Sequence, residues 1–282
     1  DLKTIFDEKL ARVIFSGSSA IQLKTLKADL SRRVVIEHLR PASFREWLAI
    51  KKGIIIPKLT LSNLIKTKAE IARKYGHVNV HLPEYYESGG VLYNAKTYFY
   101  KTIISTIETI ASKDLSSARG FDKDTEENFF KLLQVVGTSK PLELSYSKIG
   151  DAIGKNKVWV MRFLYNVEKT EAIKKVYSCG ASSKSHRKEA KFYLPFPYRS
   201  ALCASQGKQP DKGALREEFF VNHLDCCYFR TSGDPTPDFK YEGMTFEVGG
   251  KNKKNTQGAD VVVTDTLDTS GNKIPLFAIG LL

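Results

Sequence analysis

The chain is predicted to combine α/β and all-α units, and three stretches predict it. RVIFSGSSA (12–20) reads as a buried strand ending in small polar residues, the mark of an α/β layer. The middle is dominated by helical apolar spacing. At the end, GALREEFFVNHL, CCYFR and PDFKYEGMTFEV give the order helix–strand–strand–strand, so a second sheet is expected there.

Taken in order, LKTIFDEKLA (2–11) has Leu2, Ile5, Phe6 and Leu10 on one face and predicts a helix. RVIFSGSSA follows, and in open α/β sheets ligands bind at such carboxyl strand ends. Residues 51–136 read as mostly helical, and YFYKTIISTIETIASKDLSS aligns Ile103, Ile107 and Ile110 along one helix. From Asn128 onward the helices shorten: ENFFKLLQVVG, SYSKIGDAIG and KVWVMRFLYNVEKT, with Gly154 in the turn between the second and third. That is helix-turn-helix spacing; AIKKVY then predicts a strand, and the polar stretch 178–191 a wing. QGKQPDKG (206–213) reads as a linker. Glu242-Gly243 suits a hairpin turn, and ADVVVTD and KIPLFAIGLL are predicted to complete the last sheet.

The formal charge of +13 points to an anionic partner, most plausibly nucleic acid. Residues 137–200 hold thirteen Lys and Arg against five Asp and Glu, a net of +8 that is more than half the chain's excess. Lys155, Lys157 and Arg162 begin the third short helix, where a winged helix meets DNA phosphates. The same module also serves protein partners. Cys179, Cys203, Cys226 and Cys227 show no CxxC spacing, so neither a zinc site nor a disulfide framework is expected, and a reducing cytoplasm fits. No apolar run reaches bilayer-spanning length, so no membrane partner is expected.

Chemistry concentrates at Glu217, Asp238 and Glu247, with Lys251 just beyond. Hard divalent cations take oxygen ligands, so Asp238 and Glu247 are the candidate metal ligands, and a nearby lysine stabilises charge developing on a phosphate. This arrangement resembles the PD-(D/E)xK nuclease superfamily, with Pro237-Asp238 as first element, Glu247 as second and Glu217 on the first helix. The pattern places lysine two residues after the acid, and here that position is Gly249, in EVGGK. On a strand, Lys251 would face Glu247's side about 7 Å further on, unless Gly249-Gly250 bends the chain back. The expectation is a nuclease-like fold whose site is degenerate; an ordinary sheet with acidic edges reads the same way.

The start of the chain resembles the prokaryotic AAA+-type ATP-binding proteins that carry a C-terminal domain of unknown function. The residues are Gly17-Ser18-Ser19, then Leu30 with Arg33, then Pro41, Ser43, Phe44 and Glu46; members usually carry Gly where this chain has Arg32. LPEYYESGGVLY is similar to their Tyr-x-x-x-Gly-Gly turn. The resemblance implies that Ser18 takes the sensor position beside the γ-phosphate and that Arg33 reaches the phosphates. No GxxxxGK(S/T) loop occurs in the 282 residues, so ATP and Mg²⁺ are expected only in a longer protein whose Walker motifs precede Asp1. Oligomers through the ATPase core are implied as well.

The resulting organisation is the C-terminal part of an AAA+ core (1–50), a helical region (51–136), a winged-helix-like domain (137–200) and a PD-(D/E)xK nuclease-like domain (201–282). The expected function is ATP-dependent interaction with nucleic acid. A metal-dependent nuclease and a non-enzymatic regulatory or adaptor module remain alternatives.

Overall fold

The computed structural model describes residues 2–17, 30, 32–35, 37, 39–92, 98–115, 124–140, 145–180, 190–229, 236–251 and 257–282. Among these no helix is long and apolar enough to cross a membrane. The chain mixes helices with two sheets and closes around two hydrophobic cores.

The first core joins distant parts of the sequence. Its helices are α2 (Phe44–Trp47, running into a wider turn at Leu48–Lys52), α3 (Leu61–Lys66), α4 (Lys68–Tyr75) and α5 (Leu82–Ser88). They pack on the C-terminal unit: α11 (Lys212–His223), strands β3 (Cys227–Tyr228), β4 (Phe239–Tyr241), β5 (Met244–Gly249), β6 (Val261–Thr264) and β7 (Lys273–Pro275), and α12 (Leu276–Ile279). The sheet runs β3-β4-β5-β6-β7, antiparallel up to β5 and parallel from β5 to β7. The β4–β5 hairpin turns at Glu242-Gly243, where both residues take positive φ (46° and 82°). That pair of left-handed residues matches the twist of the flanking strands. At β6 all four side chains are buried, as expected of a strand covered on both faces. The predicted final strand stops early. Pro275 has no N–H to continue the ladder, and the apolar run after it forms the short buried helix α12.

The second core is built from α6 (Phe99–Thr109, with a wide turn at Ile110–Leu115), α7 (Thr125–Thr138), α8 (Tyr146–Ile153), α9 (Lys157–Lys169) and α10 (Tyr198–Ser205). The helices of residues 51–136 therefore do not share one core: those up to Ser88 belong to the first, those from Phe99 to the second. Between them lies the antiparallel hairpin of β1 (Lys174–Val176) and β2 (Lys191–Tyr193). Strand side chains alternate faces, and the hairpin uses both. Val176 and Tyr193 enter the first core; Phe192 and Leu194 enter the second.

Two sequence expectations are corrected. Helix α1 (Leu2–Asp7) forms, but no strand follows at Arg12–Gly17: Ile14 is fully exposed, with Val13 and Phe15 partly so. An apolar run becomes a strand only when neighbours satisfy its backbone, and among the described residues none pairs with it. A disulfide does form, between Cys179 and Cys227, with Cα atoms 5.1 Å apart. The backbone brings them together, since Cys179 N–H donates to Tyr228 O at 2.8 Å and Tyr228 N–H to Tyr177 O at 3.0 Å. The exit of β1 is thereby stitched to β3, a contact that cysteine spacing does not announce.

The Pro-x-Ser-Phe-x-Glu segment has a concrete structural role. Ser43 and Glu46 form a reciprocal capping box at the start of α2, which fixes how the helix enters the core. Phe44 then packs edge-on against Tyr85 and Phe219. Gly280 permits this approach, because a Cβ there would lie 2.6 Å from that of Phe44.

Candidate functional site: carboxylates around a buried lysine

Helix α11 begins with an N-cap, Asp211 accepting from Ala214 N–H at 2.8 Å, and turns Phe219 and Phe220 toward the sheet. Phe220 stacks on Phe239 and tilts against Phe246, pinning the helix over β4 and β5. Glu217 and Glu218 then leave α11 in adjacent directions. Glu218 is fully buried and paired with Arg199, while Glu217 accepts a 2.7 Å hydrogen bond from the Tyr193 hydroxyl at the end of β2.

Two residues before Tyr193, on the same face of β2, lies Lys191. It is almost completely buried, with Nζ 4.9 Å from the Tyr228 ring centre and 5.5 Å from that of Phe239. Burial pulls its ammonium below the ordinary lysine range, and Glu217, Asp238 and Glu247 oppose that pull. The same neighbourhood acts on Glu217: burial pushes its carboxyl up to about 7, against Lys191 and with the help of Asp238. Asp238 is held by Val248 N–H, which donates to its Oδ2 at 2.9 Å. The β4–β5 register, extended by one residue, sets Asp238 opposite Glu247, which is fully buried in β5.

Glu217, Asp238 and Glu247 are thus brought into one electrostatic neighbourhood, and the lysine at its centre is Lys191. Lys251 stands exposed on the turn after β5. Gly250 does not return it to the acids but makes room for a neighbour, since a Cβ there would lie 3.0–3.2 Å from the Arg216 guanidinium. Sequence reading counted Lys191 with the basic wing because it lies far upstream. Its one local signal was a lysine inside an otherwise apolar strand, KFYL. Among the described residues no three His, Cys, Asp or Glu side chains converge as a metal cage would require.

Comparison with known proteins adds one relative. Over 236 residues the chain is 29% identical to the uncharacterized protein MJ1637 of Methanocaldococcus jannaschii. The match covers 79% of this chain and 50% of that protein, so the chain spans about half the length of the curated relative it matches. No family model matches, and no solved structure does.

Ser18 falls outside the described residues. Arg33 forms a two-pronged ion pair with Asp7 of α1, at 2.8 and 2.9 Å. Lys157 and Arg162 belong to α9 and Lys155 to the turn just before it; the α9 N-cap Asn156 accepts from Trp159 N–H at 2.9 Å. Lys155 Nζ lies 5.3 Å over the Trp159 ring, while Lys157 and Arg162 reach into solvent. Val158, Met161 and Tyr165 are exposed beside them, so positions 158, 161, 162 and 165 form one outward stripe of basic, apolar and aromatic side chains.

Proposed function

We propose that this chain binds duplex DNA through the outward face of α9 and serves as the DNA-engaging part of a nucleotide-dependent protein. The exposed stripe on α9 carries the reading. A recognition helix needs cations for phosphates and small apolar or aromatic groups for base edges, and this one offers both. The order α8–turn–α9–β1–β2, with Gly154 in left-handed conformation capping α8, supports a winged-helix reading. ATP and Mg²⁺ enter this proposal only through the AAA+ resemblance, with Ser18 and Arg33 on the side of the phosphates.

The test is the salt dependence of DNA binding. Each phosphate neutralised contributes about −0.9 to the slope of log K against log salt. Replacing Lys155, Lys157 and Arg162 together with alanine is expected to weaken binding and make the slope shallower by about two to three units. Unchanged affinity and slope would remove α9 from the interface.

A second reading is metal-dependent phosphodiester cleavage in the C-terminal sheet, and burial of Lys191 beside the three acids favours it. Mg²⁺ binds through one or two carboxylates and keeps several waters, so Asp238 and Glu247 suit it without a third protein ligand. Such an ion would polarise the phosphate; Lys191 would stabilise its developing charge, and Glu217, near neutral pH, could hold or release a proton. If this site cleaves DNA with Mg²⁺ or Mn²⁺, Lys191→Met is expected to cost about a hundredfold or more in rate, and Lys251→Met nothing. Equal losses, or loss only with Lys251→Met, would return the lysine role to the strand position.

A further inference from the structure

The lysine of the carboxylate cluster is covered by two rings that differ in how firmly they are held. Phe239 lies in β4, with a strand on either side of it, and stacks on Phe220 of α11 at 5.1 Å. Tyr228 lies in β3, a two-residue strand at the edge of the sheet. Its ladder to β4 is two pairs long, Cys227 with Lys240 and Tyr228 with Phe239. Short edge segments of this kind open locally at well below the global unfolding free energy. Yet Tyr228 is the lid: its ring centre is 4.9 Å from Lys191 Nζ, and both residues are buried.

What β3 has in addition is a covalent tie. Cys227, the residue before Tyr228, is bonded to Cys179 just past β1, 48 positions upstream. The tie lies beside the bridge between Ser178 and Tyr228, so it fastens the lid on the side away from β4. An opened β3 stays tethered next to β1 and gains less conformational freedom, which disfavours opening. Both cysteines are half-buried, within reach of a soluble reductant. The adjacent Cys226 does not compete for the bond. Burial pushes its thiol up to about 12, so it stays protonated and a poor nucleophile.

We propose that the Cys179–Cys227 disulfide is a redox latch that holds Tyr228 over Lys191 and is opened by a dithiol reductant. One thiolate of the reductant attacks a sulfur of the bond, forming a mixed disulfide and releasing the other cysteine as a thiolate. The reductant's second thiolate then displaces the remaining cysteine. Two electrons and two protons pass to Cys179 and Cys227, and the dithiol leaves as its own disulfide. With the tie gone, β3 opens and Lys191 meets solvent beside Glu217, Asp238 and Glu247. The latch controls access to the lysine whatever chemistry the cluster performs, so it depends neither on DNA binding by α9 nor on cleavage.

The test is the rate at which the acetyl ester of N-hydroxysuccinimide modifies Lys191 in the 282-residue chain, followed by peptide mass spectrometry. The oxidised chain is compared with chain reduced by dithiothreitol and desalted without air. Reduction is expected to speed acetylation of Lys191 by at least about tenfold. Two lysines serve as references: Lys251, exposed after β5, and Lys175, whose side chain is 6% exposed on the other face of the hairpin. Neither rate should change. Cys179→Ser with Cys227→Ser should give the fast Lys191 rate with or without dithiothreitol, whereas Cys226→Ser should keep the wild-type response. Equal Lys191 rates in the two redox states overturn the proposal. So does a rise at Lys175 that matches the rise at Lys191, because the chain is then loosened as a whole rather than at β3. Loss of the response in Cys226→Ser assigns the latch to another pairing and equally overturns it. An oxidised chain that offers four alkylatable thiols on unfolding, rather than two, does the same. Should the double serine variant not fold, the wild-type comparison decides alone.

Discussion

Replacing Glu218 with alanine is expected to lower the stability of this chain by about 3–5 kcal/mol, measured as a shift in the urea midpoint at constant slope. Glu218 and Arg199 have side chains 0% and 1% exposed and meet at 2.7 Å. Removing one partner leaves the other charged and buried, so the loss exceeds what the pair itself contributes. The position of the pair adds to its effect. Glu218 belongs to α11, and its carboxylate also accepts Leu194 N–H from the end of the β1–β2 hairpin at 2.9 Å. Arg199 belongs to α10 and also donates to Ser139 O, beyond the end of α7, at 3.1 Å. One ion pair thus ties together elements of both cores. The surface pair Glu127–Lys131 on α7, at 2.6 Å, is the control, and Glu127→Ala is expected to leave the midpoint in place. The double change Glu218→Leu with Arg199→Met should recover part of the loss, because it leaves no charge stranded. Should Glu218→Ala behave like the surface control, the seam is held by apolar contact alone.

What the sequence made legible was local. The periodicity of KVWVMRFLYNVEKT gives α9 to within a residue, the glycine after SYSKIGDAI marks the end of α8, and Glu242-Gly243 marks its hairpin. Each depends on neighbours a few positions away. What stayed hidden depends on tertiary pairing. RVIFSGSSA has strand composition, but composition does not provide the neighbouring strand that its backbone requires. Lys191 entered the charge count of the wing, and only the two-faced use of the hairpin turns it toward Glu217. Cys179 and Cys227 are 48 residues apart, brought together by one backbone bridge between β3 and the exit of β1. Glu217, Asp238 and Glu247 were found because carboxylates on a helix followed by strands are a chemical pattern; the lysine beside them came from outside that pattern.

Protonation of His223 is expected to remove about 3 kcal/mol of stability as pH drops from about 6.5 to about 4, read as the difference between wild type and a variant that cannot titrate at this position. Its ring is largely buried where the motif segments meet. Nε2 accepts from Phe44 N–H at 2.9 Å, so the proton sits on Nδ1, which donates to Phe219 O at 2.7 Å. Burial lowers its pKa from the ordinary 6.5 to about 4; the Phe219 carbonyl and Glu46 oppose that shift, while Lys174 adds to it. Between these values the unfolded chain takes up a proton that the folded chain refuses, so stability rises with pH across the window. The contribution is complete above the unfolded value and gone below the folded one. Glu217 runs the other way. Its folded value of about 7 exceeds the ordinary 4.5, so it favours the folded state below 4.5 and that contribution is lost as pH rises toward 7. The two slopes overlap between 4.5 and 6.5, and a single titration of the wild type would mix them. The informative comparison is wild type against His223→Gln, by urea unfolding at a series of pH values. Glutamine can still accept from Phe44 N–H but cannot be protonated, so its profile should lack the His223 slope and show the Glu217 trend alone. Parallel profiles for the two proteins would mean that His223 is solvated enough to titrate normally, and that Phe44 does not seal it.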